Sequence, residues 1–286
     1  MNKLNTLLKA SQQRLSLELS IGTNEASIDV RLLLQQVLNV NHAWLISHPD
    51  DALSAGKINA FNTLLDRRLA GEPMAYILGQ REFYGLNLKA TSATLIPRPD
   101  TEVLVESALA KIPTDIYTNI LDLGTGSGAI ALAIASQRPL TNITAVDFSE
   151  EALQVAQENA ASLNLNHVAF VQSSWFDALA NRKFDLIVSN PPYIAKDDVH
   201  LQQGDLRFEP ITALASGIDG LDDIRVIVAN APQHLNKNAW LILEHGYDQA
   251  DAVSRMLADR GFTQVSHALD LAGIERVTMG CWSLSS

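Results

Sequence analysis

The segment ILDLGTGSGAIALAIA, residues 120–135, sets three glycines between an apolar strand and an apolar helix. Gly124, Gly126 and Gly128 alternate with Thr125 and Ser127 across that connection. Without Cβ atoms the chain turns tightly there, and a ligand can approach the main chain closely. The next apolar strand, ITAVD, ends on Asp147, which lies 147 − 124 = 23 positions after Gly124. An acid so placed accepts hydrogen bonds from both hydroxyls of a ribose. The pattern predicts a βαβ unit that binds a nucleoside-bearing cofactor. It does not single out one, because Gly124, Gly126 and Ala129 also satisfy the looser G-x-G-x-x-A spacing of nicotinamide sites. Ser127 lacks the G-x-S-x-G spacing of a nucleophile elbow, and no Gly-Lys-Ser/Thr marks a P-loop.

The same alternation continues downstream. NILDL, ITAVD, HVAFVQ, FDLIVSN, AWLILEHG and two segments near 262–268 and 274–282 read as strands, with helical patterns between most of them. Short apolar strands separated by helices predict an α/β fold with a mostly parallel, doubly wound sheet. Ahead of it lies a helical region. One helix is expected to turn Ile28, Leu32, Leu33 and Val37 inward, and another Ile58, Phe61, Leu64, Leu65 and Leu69. Gly71 and Pro73 stop the second one. Between about Ile77 and Pro99, β-formers, glycines and prolines predict a hairpin. The expected division is a helical domain over 1–78, a hairpin linker over 79–98 and the α/β domain over 99–286.

Composition narrows the partners. With 21 Lys and Arg against 32 Asp and Glu, the formal charge is −11, and no dense basic run offers a general attraction to nucleic-acid phosphates. Cys281 is the single cysteine, which rules out an intrachain disulfide framework. The first twenty residues are too polar for a signal-peptide core, and no apolar run has the length of a membrane span. A cytoplasmic monomer is expected. No histidine spacing suggests a metal site.

FDLIVSNPPY, residues 184–193, carries the second chemical signal. A buried strand stops on Asn190, and Pro191 and Pro192 cannot donate to a sheet. At the carboxyl edge of a doubly wound sheet, Asn190 faces the crevice that the glycine turn also faces. Its side-chain oxygen and the Pro191 carbonyl make two acceptors for a planar –NH2, and Tyr193 adds a flat ring. An asparagine that caps a turn, with prolines merely ending the strand, is the plain alternative. Trp175, in QSSWFD, reads equally as a buried core aromatic or as a wall for an adenine.

Together the glycine turn, Asp147 and Asn190-Pro191-Pro192-Tyr193 resemble class I methyltransferases that modify planar nitrogens with S-adenosylmethionine. The whole chain further resembles the PrmC/HemK family of bacterial release factor glutamine methyltransferases. EPMAYILGQREFYG (72–85), LIPRPDTE (95–102), RFEPITALASGIDGL (207–221) and LILEHG (241–246) carry that likeness. It implies a Rossmann-like seven-stranded sheet behind a helical domain that recognises the substrate. The implied activity is N5-methylation of the glutamine in the Gly-Gly-Gln motif of peptide chain release factors one and two. It assigns the cofactor to Gly124, Thr125, Gly126, Ser127, Gly128, Asp147, Trp175 and Asn190. The substrate amide falls to Asn190, Pro191, Pro192 and Tyr193, with Asn190, Pro191 and Tyr193 as the catalytic set. Neither direct nucleic-acid binding nor membrane attachment is implied. An N6-adenine methyltransferase, a nicotinamide-dependent oxidoreductase and a non-enzymatic binding module remain the competing readings. Arg98, Glu102, Glu209, Pro210 and His245 are left between site entry, substrate channel and ordinary structural roles.

Overall fold

The computed structural model describes residues 3–283. It divides into two compact units, with the boundary after Gly79.

The described residues of the first unit form the helices α1 (Leu4–Glu18), α2 (Thr23–Leu38), α3 (His42–Ser47), α4 (Ala55–Leu69) and α5 (Met74–Leu78). Asn41 starts α3 by accepting from the Trp44 amide at 2.9 Å, and Ser54 starts α4 by accepting from the Lys57 amide at 3.3 Å. Leu15, Val30, Leu33, Leu34 and Phe61 are fully buried at its centre. The α2 face differs from expectation, since Ile28 is 57% exposed while Ala26, Asp29 and Val30 turn inward. The reason is polar. Asp29 Oδ2 accepts from Arg68 Nε at 2.8 Å, and both side chains are buried, so the helix is rotated to bring this pair together. A buried ion pair adds little net stability, but removing one partner strands the other.

The second unit begins with the hairpin β1 (Gln80–Phe83) and β2 (Leu86–Lys89). After α6 (Glu102–Leu109) come β3 (Thr118–Leu123), α7 (Ala129–Gln137), β4 (Thr141–Asp147), α8 (Glu150–Ser162), β5 (Ala169–Gln172) and β6 (Phe184–Ser189). The chain ends through α9 (Asp222–Asn230), β7 (Leu235–Glu244), α10 (Ala250–Arg260), β8 (Thr263–Leu269) and β9 (Glu275–Trp282). The hairpin docks on α8, where Asn159 Oδ1 accepts from the Lys89 amide at 2.6 Å. GLDDIRVIVANAPQHL, residues 220–235, carries a helical pattern longer than the α9 it forms. Pro232 sits in a 3-10 turn, and the chain enters β7 at Leu235.

Among the described residues the sheet has seven strands in the order β5-β4-β3-β6-β7-β9-β8, parallel except for the pairings of β9 with β7 and β8. Both faces are covered. Ile120, Val188 and Ile242 pack on one side with α6 and α7, while Leu121, Ile187 and Leu241 pack on the other with α9 and α10. This is the mostly parallel, doubly wound arrangement the strand pattern predicts, and the Rossmann-like sheet the resemblance implies. Among the described residues, no helix is long and apolar enough to cross a membrane.

Replacing Asp29 tests the polar pair in the helical unit. Asp29→Ala should lower unfolding stability by about 3 kcal/mol in chemical denaturation, because Arg68 is left buried without its close partner. A change below about 0.5 kcal/mol, the level of an ordinary surface substitution, would show that the pair is dispensable.

Candidate active site

Strand order reverses direction between β3 and β6: β4 and β5 follow β3 on one side, and β7 follows β6 on the other. A crevice opens at the carboxyl ends of such a pair, because the following helices leave on opposite faces. Here β3 and β6 run in register to Leu123 opposite Ser189, and Ser189 Oγ donates to the Leu123 carbonyl at 2.7 Å. Gly124 and Asn190 are therefore the next residues on either side of one opening. The cleft there holds about 400 Å³.

The glycine turn is built with positive φ at Gly124 (70°), Gly126 (55°) and Gly128 (83°), and Gly128 is the residue from which α7 starts. At Gly124 an added Cβ would sit 3.6 Å from the Trp175 ring, so this glycine brings bare main chain against an aromatic wall. Thr125 Oγ1 donates to the buried Asp122 Oδ2 at 2.6 Å, which anchors the turn to the end of β3. Burial pushes the Asp122 carboxyl up to about 7, against the opposing effect of the Thr125 hydroxyl.

Asp147 closes the cleft from the end of β4. Its Oδ2 accepts from the Gly126 amide at 2.8 Å and its Oδ1 from the Ser149 amide at 2.9 Å. Each oxygen keeps a further lone pair for a ligand. Burial raises the carboxyl above its usual range, and these amides oppose the shift. Trp175 lines the same cleft in a left-handed conformation, φ 48°, which is uncommon for a bulky side chain.

Asn190 contributes a buried acceptor that no protein group satisfies. Its Nδ2 donates to Thr101 Oγ1 at 3.2 Å, while its Oδ1 is buried without a hydrogen-bond partner. Pro192 lines the cleft beside it. Gly128, Pro191 and Tyr193 lie outside that lining. Tyr193 packs against the core beneath and directs its hydroxyl to Glu244 Oε1 at 3.3 Å. Burial pushes that phenol well above its ordinary range.

The undecided residues separate by environment. Glu209 is not a solvated loop acid: it is buried, hydrogen-bonded by Arg98, and raised to about 7 by desolvation against the guanidinium. The neighbouring Pro210 lines the cleft. Glu102 Oε1 accepts from the Tyr84 amide at 3.0 Å. His245 is fully buried and satisfied, with Nδ1 donating to the Gly246 carbonyl at 2.9 Å and Nε2 accepting from Thr278 Oγ1 at 2.7 Å. Burial lowers its pKa, which suits this neutral form.

Several participants escaped sequence reasoning. Thr101 and Phe148 both line the cleft, and Phe148 is 75% exposed immediately after the acid. Gln249 pins the end of the Asn-Pro-Pro-Tyr segment, with Nε2 donating to the Tyr193 carbonyl at 3.0 Å. Gly220 leaves room for that carbonyl, since a Cβ there would fall 2.2 Å from it. A large apolar residue directly after the acid was a readable signal for Phe148. The other three carry none that is local.

The sheet, the glycine turn and the acid opposite it define a Rossmann-like methyltransferase. Residues 99–207 match the model of the methyltransferase small domain, and residues 6–79 match that of the PrmC N-terminal domain. A methyltransferase from Pyrococcus furiosus shares the fold with a TM-score of 0.54 at 17% identity, over 78% of this chain and 100% of that one. Two relatives are much nearer in sequence, both release factor glutamine methyltransferases. That of Pseudomonas aeruginosa is 49% identical over 99% of this chain and 100% of its own length. That of Xylella fastidiosa is 49% identical over 88% of this chain and 92% of its own. The chain belongs to the release factor glutamine methyltransferase family.

Asp122 gives the site a pH signature. From about pH 4 to about pH 7 the folded chain keeps a proton that the unfolded chain has released, so this group's contribution to stability falls as pH rises through that window. Denaturation midpoints collected across it should decline less steeply in Asp122→Asn, by up to about 1.4 kcal/mol per pH unit. An unchanged slope would mean that Asp122 ionises normally in the fold.

Proposed function

We propose that this chain transfers a methyl group from S-adenosylmethionine to the side-chain nitrogen of the Gly-Gly-Gln glutamine in peptide chain release factors one and two. The observation that carries the reading is Asn190 Oδ1, a buried acceptor left without a partner beside the glycine turn. A buried acceptor is costly unless something donates to it, and a substrate –NH2 is such a donor.

The residues present fit the cofactor. The cleft offers mostly apolar walls, bare main chain at Gly124 and Gly126, and a carboxylate with lone pairs to spare. Bound there, S-adenosylmethionine supplies a methyl group made electrophilic by its sulfonium sulfur. Asp147 would accept from the ribose hydroxyls, and Trp175 with Gly124 would form the wall for the flat base. The turn from Thr125 through Ser127 to Gly128 lets the main chain follow the cofactor closely.

On the substrate side, Asn190 Oδ1 and the Pro191 carbonyl hold the two N–H groups of the glutamine amide. Pro192 limits the sideways freedom of the amide, and Tyr193 fixes the segment from beneath. An amide nitrogen is a weak nucleophile because its lone pair is delocalised into the carbonyl. Two fixed acceptors orient it and favour the positive charge it gains on attack. The nitrogen then loses one proton to water, which needs no dedicated base in this site. The helical unit recognises the folded release factor. The enzyme works in the cytoplasm as a monomer, without binding nucleic acid directly, in keeping with its charge of −11.

Incubation with S-adenosylmethionine and either release factor should add one methyl mass to the Gly-Gly-Gln glutamine, read by peptide mass spectrometry. Adenine methylation in a parallel nucleic-acid sample, with none on the protein, would overturn the reading. Two variants divide the roles. Asn190→Ala should lower kcat by about 100-fold or more while the cofactor Kd moves by less than about threefold. Asp147→Ala should instead raise the cofactor Kd by about tenfold or more, read by calorimetry. Near-normal turnover in Asn190→Ala would exclude the amide receptor.

A further inference from the structure

An asparagine amide has two nearly isosteric orientations, and only one presents an acceptor to the cleft. Something must select it. Asn190 Nδ2 lies 3.2 Å from Thr101 Oγ1, and Thr101 is only 4% exposed. A threonine hydroxyl could also donate, which would favour the opposite orientation, with the asparagine oxygen turned toward Thr101 and the –NH2 toward substrate. What the hydroxyl proton does is therefore decisive.

Glu244, the last residue of β7, answers that. It is 2% exposed, its Oε1 accepts from the Tyr193 hydroxyl at 3.3 Å, and its Oε2 has no partner. Burial pushes this carboxyl up to about 7, while the nearby Thr101 hydroxyl, Tyr193 and Arg276 favour its charged form against that shift. Once Glu244 is ionised, above about pH 7, it draws the one Thr101 proton, and Thr101 has only lone pairs left for Asn190. The partner it can accept from is the Nδ2 group.

We propose that Thr101 and Glu244 are positioning residues that lock the orientation of the Asn190 amide and so present Oδ1, not the –NH2, to the substrate nitrogen. The inference rests on the amide-receptor reading above. It adds the device that makes the receptor an acceptor. Two strand ends and a turn cooperate: Asn190 follows β6, Glu244 ends β7, and the turn entering α6 supplies Thr101.

The test compares Thr101→Val, Thr101→Ser and Glu244→Gln in the full-length protein. Methyl transfer to release factor is measured as kcat and KM, and cofactor affinity by calorimetry. Thr101→Val keeps the shape and removes the hydroxyl, so kcat should fall by about 10- to 100-fold with cofactor Kd changed less than about threefold. Thr101→Ser keeps the hydroxyl and should stay within about threefold of the parent. Assayed at about pH 8, where the Glu244 carboxyl is ionised, Glu244→Gln removes the charge that attracts the Thr101 proton, and its kcat should fall by about tenfold or more.

The proposal is overturned if Thr101→Val turns over normally, if Thr101→Ser is as impaired as Thr101→Val, or if Glu244→Gln is unaffected. A readout independent of turnover is the side-chain –NH2 signal of Asn190 in nitrogen-15 NMR, assigned by its loss in Asn190→Asp. Slow hydrogen exchange of that group should be present in the parent and lost in Thr101→Val. Equal exchange in both would reject the lock. Were the parent inactive on release factor, the functional reading would fall, while the exchange comparison would still decide whether Thr101 holds the amide.

Discussion

The parallel pairing of β3 with β6 is the constraint on which the site depends. It brings together two chain segments 66 residues apart and holds Leu123 level with Ser189. Because side chains alternate along a strand, a slip of one residue would send Asn190 to the opposite face of the sheet. It would also move the glycine turn away from the strand end it faces. The hydrogen bond from Ser189 Oγ to the Leu123 carbonyl occupies the last position before the strands diverge, where ladder pairing can no longer enforce register. The apolar layers on both faces hold the rest of the ladder, and the chemistry hangs from its final rung.

The same edge collects what a stability-optimised core would avoid. Asn190 Oδ1, Glu209 Oε2 and Glu244 Oε2 are buried without partners, and Asp122 and Glu244 are carboxyls whose charged forms are disfavoured by burial. Trp175 adds an unfavourable backbone conformation. Such groups are tolerated where function requires them and the surrounding fold can carry the cost. Their distribution is informative in itself, since Asp122, Asn190 and Glu244 mark the carboxyl ends of β3, β6 and β7 in turn.

How much of this could be read from sequence follows from the range of the forces involved. The glycine turn and Asn190-Pro191-Pro192-Tyr193 are legible because they constrain their own backbone within a few residues. The seven strands are legible because apolar runs and breakers are local too. Thr101 and Gln249 are not, and Glu209 and Glu244 are legible only as candidates without a settled role, because their partners lie far away: Asn190 is 89 residues from Thr101, and Arg98 is 111 from Glu209. Ile28 fails for the same reason. Its spacing suited the core, but a carboxylate one position along meets Arg68 from α4, 39 residues further on, and turns the helix. Periodicity reports average amphipathicity and does not register a single buried ion pair. Pro232 was visible in the sequence, yet the apolar pattern running through it extended the predicted helix past the turn it makes.

The prolines take on a specific meaning in this setting. Pro191 and Pro192 remove two N–H donors at the mouth of the cleft, so the segment offers acceptors there and no competing main-chain donor. Its ends are fixed as well, by Ser189 on the β3 side and by Gln249 at the Tyr193 carbonyl. A receptor held at both ends and stiffened between them loses little conformational freedom on binding. On the proposed reading, that rigidity governs selectivity. A glutamine amide brings a donor for each acceptor, whereas a hydroxyl would leave one acceptor buried and unmet, at about 1–3 kcal/mol. A glutamate carboxylate brings no donor at all and sets its negative charge against two oxygens. Rejection of the side chain nearest in shape to glutamine thus follows from the polarity of the segment, without any steric difference between the two.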